Sequence, residues 1–119
     1  MSPRRDIEGP IHRAVLDYLR LALPQARIHH SPNETDMSGP QAIRMVAKAK
    51  RMGTRPGWPD LEILPGNGRV YFMEVKAPKG RLSDHQADLM NWMIAVGYEV
   101  AVVRSVDDAK AAVRAWGLA

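Results

Sequence analysis

The strongest constraint in this chain is the run from Arg69 to Val103, which reads strand, helix, strand. Arg69 to Lys76 is rich in Val, Tyr and Phe. Ser83 to Val96 opens on a capping residue and stops before Gly97, and Tyr98 to Val103 is apolar and largely β-branched. Such a crossover joins two parallel strands and is right-handed in nearly all proteins. A second constraint lies just upstream. Asp60 to Leu64 meets Arg69 across the turn Pro65-Gly66-Asn67-Gly68, which makes an antiparallel hairpin. A strand parallel to one neighbour and antiparallel to the other belongs to a mixed sheet, and the alternating helices must cover its faces.

The remaining segments extend this pattern. Ile7, Ile11, Ala14, Val15, Tyr18, Leu19 and Ala22 follow the spacing of one helix face, with Asp6 as a candidate N-cap and Pro24 beyond the end. Ala26, Ile28 and His30 alternate as a short strand, and Ser31 to Gly39 is a loop. Pro40 suits the first turn of a helix running to about Met52. Ser105 caps a last helix that carries Ala109, Ala112, Val113 and Trp116 on one face. The expected fold is α/β, a mixed central sheet flanked by helices in the order αβαββαβα. With 119 residues it forms a single domain over 1–119. Met45, Met52, Met73, Met90 and Met93 are read as core filler.

Composition narrows the chemistry. There are no cysteines, so disulfides, thiolate zinc sites and cysteine nucleophiles are excluded, and a metal must be held by oxygen or imidazole. The longest unbroken apolar run, Trp92 to Val96, is far below the ~20 residues that cross a bilayer. With no signal-peptide pattern, the expectation is a cytoplasmic protein without a membrane partner. The net charge of +4 is unevenly spread: residues 1–81 hold 14 basic and 8 acidic side chains, residues 82–119 hold 3 and 5. From Met37 to Pro59 there is no acid, while Arg44, Lys48, Arg51 and Arg55 stand within a few turns of one another. That stretch reads either as a solvated helix face or as a phosphate-contacting one.

No phosphate-binding Gly-rich loop, His-Glu-x-x-His or dinucleotide fingerprint is present. The informative residues are Asp60 in Gly57-Trp58-Pro59-Asp60-Leu61 and, fourteen residues on, Glu74-Val75-Lys76. In a strand Glu74 and Lys76 share a face. If the hairpin closes symmetrically on Gly66-Asn67-Gly68, position 60 stands opposite 74, and opposed residues share a face with Cβ atoms roughly 4.5–5.5 Å apart. Two carboxylates held so closely repel unless a cation lies between them or one takes a proton. Oxygen ligands from two acids suit Mg²⁺. Read separately, Glu74 and Lys76 are equally a surface ion pair, and His29, His30, Asn33 and Glu34 are read as a strand end and turn rather than a metal cluster. Trp58 is read as packing its turn in preference to stacking on a base. Gln86 fits a capping box with Ser83, and Glu8 near a helix start fits the helix dipole.

Taken in order, Gly57-Trp58-Pro59-Asp60-Leu61, Glu74-Val75-Lys76, Gly80-Arg81-Leu82-Ser83-Asp84-His85-Gln86 and Gly97-Tyr98-Glu99-Val100 resemble the virus-type replication-repair nuclease (VRR-NUC) domain of the PD-(D/E)XK nuclease superfamily. The likeness reaches upstream to His30-Ser31-Pro32-Asn33-Glu34 and Glu8. It implies a restriction-endonuclease-like core and a metal-dependent DNA endonuclease. Asp60, Glu74, the Val75 carbonyl and Glu8 would ligate Mg²⁺ or Mn²⁺. Lys76 would orient or deprotonate the attacking water, and Gln86 would order the site. Arg44, Lys48, Arg51, Arg55, Lys79 and Arg81 are the candidate DNA contacts. Small members resemble junction-resolving, structure-specific nucleases that act as homodimers, so branched (Holliday junction) DNA, a bacterial or phage-infected cell and an interface on the last helix are expected. The alternative is a DNA-binding module on the same fold without catalysis.

Overall fold

The computed structural model describes residues 7–31 and 39–119. The elements are α1 (Glu8–Ala22), β1 (Arg27–His30), α2 (Pro40–Arg51), β2 (Leu61–Leu64), β3 (Tyr71–Val75), α3 (Asp84–Ala95), β4 (Glu99–Val103) and α4 (Val106–Ala115). Their order is αβαββαβα, as the periodicities require. The strands form one sheet in the order β1-β2-β3-β4. β1 and β2 are antiparallel, as are β2 and β3, whereas β3 and β4 are parallel. The sheet is therefore mixed, with the crossover through α3.

The pleat divides the core. Leu61, Ile63, Tyr71, Met73 and Val75 face one way and pack with Val15 and Leu19 of α1 and Ala109 and Val113 of α4. Side chains of this size contribute roughly 1.5–3 kcal/mol each when fully buried, so this face supplies most of the stability. Phe72 faces the other way, against Leu89 and Met93 of α3, with Trp58, Val70 and Val100 around them. This second face is thinner, and it is the one that carries Glu74.

Three expectations change. Met73, Met90 and Met93 are buried, but Met45 and Met52 are exposed, at 48% and 80%. Their helix, α2, with Met52 at its C-terminal end, has an apolar side that no other element among the described residues covers substantially. The apolar face of α4 is consumed by the core, with Ala109 and Val113 buried and Trp116 against Tyr71 at 5.0 Å, so it is not free to form a dimer interface. The cap position of α1 is Ile7, which makes no side-chain cap bond, and Asp6 lies outside the described residues.

Candidate active site

The hairpin places the two acids. Its observed pairs, Leu61 with Met73, Glu62 with Phe72 and Ile63 with Tyr71, continue one step to Asp60 opposite Glu74. Asp60, Glu74 and Lys76 are all buried, at 7%, 2% and 9% exposure, so the alternative of a surface ion pair does not describe them.

Pro59 explains the local arrangement. The next pair along the ladder would be Pro59 with Val75, and proline has no N–H to donate. The Val75 N–H instead donates to Asp60 Oδ2 at 2.7 Å, which holds that carboxylate at the strand end. In a strand the N–H and C=O of one residue point to the same side, so the Val75 carbonyl faces the β2 side, where Pro59 has no N–H to offer it. Lys76 N–H turns the other way and donates to Val103 O of β4. The Asp60 carbonyl is tied down in turn, accepting from Ser31 N–H at 2.8 Å, with His30 Nδ1 at 3.3 Å.

Glu74 is the electrostatic centre. Its Oε1 accepts from Gln86 Nε2 at 3.0 Å and lies 3.8 Å from Lys76 Nζ. Its buried Oε2 has no hydrogen-bond partner. Burial, then the neighbouring charge of Asp60, push the Glu74 carboxyl up to about 9; Lys76 opposes the rise and Glu8 adds to it. Two carboxyls facing each other this closely repel unless one takes a proton or a cation lies between them. The unpartnered Oε2 of Glu74 and the carboxylate of Asp60 are oxygen donors of the kind Mg²⁺ or Mn²⁺ takes, and Glu8 is near enough for its charge to act on Glu74. Among the described residues, no three or more His, Asp or Glu side chains are grouped so that they could hold a metal ion together, so Glu8 does not form a three-acid cluster with Asp60 and Glu74 in this structure.

Gln86 serves two functions at once. Ser83 Oγ accepts from Gln86 N–H and Gln86 Oε1 accepts from Ser83 N–H, a complete capping box at the start of α3. The remaining amide group of the same side chain holds Glu74. Gly57 makes this reach possible. Its φ is +80°, and a Cβ there would lie 2.6–2.8 Å from the His85 and Gln86 backbone, so only glycine lets the 57–60 turn press onto the first turn of α3. Its close approach to α3 is not visible in the sequence, where Gly57 reads only as a turn residue.

The other candidates fall in three places. Trp58 donates to Glu62 Oε1 at 2.6 Å and sets its ring edge-on to Phe72, so it packs the turn. Lys79 and Arg81 are exposed on the loop that follows Lys76. Arg44, Lys48 and Arg51 are exposed on α2, with Arg55 just beyond it, and α2 makes no substantial packing with any other element. His29 is exposed on β1, His30 meets His12 edge-on at 4.5 Å, and Asn33 and Glu34 lie outside the described residues. The residue missed from sequence is Arg104, whose Nη1 donates to the carbonyls of Ala77 at 2.8 Å and Gly80 at 2.6 Å.

Comparison with known proteins identifies the fold. The sequence model of the VRR-NUC domain matches residues 13–107. One solved structure, a VRR-NUC domain protein, superimposes with a TM-score of 0.70 at 21% identity over 95% of this chain and 89% of its own. A second, a VRR-NUC domain, gives 0.64 at 21% identity over 92% and 97%. No curated protein sequence matches the chain.

Proposed function

The chain belongs to the VRR-NUC domain family, and we propose that it is a metal-dependent endonuclease that hydrolyses DNA phosphodiester bonds, with branched or junction DNA as its substrate. The observation that carries this reading is the buried Asp60–Glu74 pair, with one Glu74 oxygen lacking any donor. Asp60, Glu74, the Val75 carbonyl and Glu8 would hold Mg²⁺ or Mn²⁺. A divalent ion bound there supplies a water of lowered pKa and neutralises charge developing on the phosphate.

The protein's own residues do the rest. Gln86 holds Glu74 Oε1, so that Oε2 stays free for a ligand. Lys76 Nζ stands beside the same carboxylate and orients the attacking water while stabilising negative charge on the oxygens of the reacting phosphate. Lys79 and Arg81, exposed next to this site, and the basic face of α2 supply phosphate contacts. No described helix is long and apolar enough to cross a membrane. The exposed apolar set Trp92, Ile94, Val96 and Tyr98 is the surface suited to a homodimer, which would bring two sites to a branched substrate.

The test is incubation of the purified protein with plasmid, flap and four-way-junction DNA in Mg²⁺, Mn²⁺ or EDTA. Cleavage in either metal, abolished by EDTA and fastest on the junction, is expected. Absence of cleavage on all three substrates in both metals contradicts the reading.

A further inference from the structure

Beside the catalytic strand the structure carries a second cation that the proposed chemistry does not use. The parallel register ends at the Val75–Val103 pair; carried one step further it sets Arg104 beside Lys76, about 5 Å away by the spacing of neighbouring strands. Like charges so placed destabilise a sheet, so the arrangement calls for a compensating role. Lys76 turns to Glu74. Arg104 instead reaches over the segment Ala77-Pro78-Lys79-Gly80 and donates to the carbonyls at both of its ends.

That segment is a tight turn closed by Gly80 N–H donating to Ala77 O at 2.9 Å, with Pro78 setting its first corner. Lys79 sits at the tip, exposed, three residues after Lys76. The two guanidinium bonds staple the turn to β4, and the backbone of Arg104 is itself fixed, its N–H donating to Asp108 Oδ2 in the first turn of α4. Because Arg104 binds carbonyls and, among the described residues, no carboxylate, it orders the turn without neutralising it, and Lys79 and Arg81 stay exposed on the loop beside Lys76.

We infer that Arg104 is a positioning residue for the nucleic-acid substrate: it holds the Ala77–Gly80 turn so that Lys79 meets the phosphate backbone beside the reacting bond. The inference rests on the reading of the chain as a DNA nuclease. Fixing the turn in advance removes the ordering cost that a mobile lysine would incur on binding.

The test is a double-mutant cycle on the full chain, measuring the salt dependence of binding to a labelled DNA duplex in EDTA. Lys79→Ala and Arg104→Ala should each lower the salt slope by about one, and the double variant should lower it no further. Arg104→Lys should recover only part, since an ammonium does not reproduce the planar fork that meets both carbonyls. Hydrogen exchange at the Gly80 amide should quicken about tenfold or more in Arg104→Ala and stay at the parental rate in Lys79→Ala. Additive losses in the cycle overturn the inference, because Arg104 is then a separate phosphate contact. Parental binding and parental Gly80 exchange in Arg104→Ala overturn it as well. If that variant does not fold, parental Gly80 exchange in Arg104→Lys overturns it. Binding in EDTA is read without cleavage, so a parent that binds DNA and cuts none fails the nuclease reading alone; a parent that binds no DNA overturns both.

Discussion

Two regions of this molecule carry its cations in opposite ways. Just past the end of β3, Lys76 is buried and tied to a buried acid, and hydrogen bonds from the Val75 N–H and Gln86 place the two carboxyls beside it. On α2, Arg44, Lys48 and Arg51 are exposed on a helix that packs little against the other described elements. An isolated helix of 12 residues is marginal in water. The difference teaches where position matters. Burying charge costs several kcal/mol unless it is paired, and that cost is met where atoms must be held at fixed separations. A surface that only attracts phosphate needs sign and density of charge, and geometry there is free to vary.

The sharpest way to break the comparison is to remove one cation from each region. Lys76→Ala should lower cleavage by about 10³-fold or more while circular dichroism and melting behaviour stay those of a folded protein. Normal cleavage by that folded variant would remove Lys76 from the chemistry.

The next effect is on the scaffold. Gly57→Ala places a Cβ 2.6 Å from the His85 carbonyl carbon at a φ of +80°. Left-handed backbone and overpacking together should cost about 3 kcal/mol, read as a lowered midpoint in urea. The same substitution at Gly53, whose φ is also positive but whose Cβ would meet nothing, should cost only the backbone term, about 1 kcal/mol. Equal losses would mean that the 57–60 turn does not lean on α3.

Acidity separates the regions too. The Glu74 carboxyl stands at about 9 against an ordinary 4.5, so between those values the folded protein keeps a proton that the unfolded chain releases. Stability of the metal-free protein is therefore full below about 4.5 and falls as the pH rises toward 9. Thermal melts in EDTA should follow that course, and Glu74→Gln should remove the slope. Melts that instead gain stability over that range would refute the burial argument.

The smallest structural effect belongs to α2. Arg44→Ala, Lys48→Ala and Arg51→Ala combined should shift stability by less than about 0.5 kcal/mol per site. They should also lower the salt slope of DNA binding by about three, equally for all sequences. A merely solvated face predicts unchanged affinity at every salt concentration.

How much of this was legible in the sequence follows the same division. Element order and the Asp60–Glu74 register are local consequences of periodicity and turn length, so Gly66-Asn67-Gly68 was enough to place position 60 opposite 74. The double use of Gln86 was half legible, since the capping box is a local pattern and its bond to Glu74 is not. Arg104 was invisible because its partners are backbone carbonyls 24 and 27 residues away, which leave no side-chain pattern. Met45 and Met52 misled for a related reason: spacing tells which side of a helix is apolar, not whether anything covers it.

The central claim is that the buried carboxylate pair is a divalent-cation site. Isothermal titration calorimetry of Mn²⁺ and Mg²⁺ into the parent, Asp60→Asn and Glu74→Gln tests it directly, with melting in EDTA confirming that each variant is folded. The account predicts binding to the parent that is lost or strongly weakened in both variants, together with higher metal-free melting temperatures, because the acids no longer oppose each other. Unchanged divalent binding in both folded variants would contradict it.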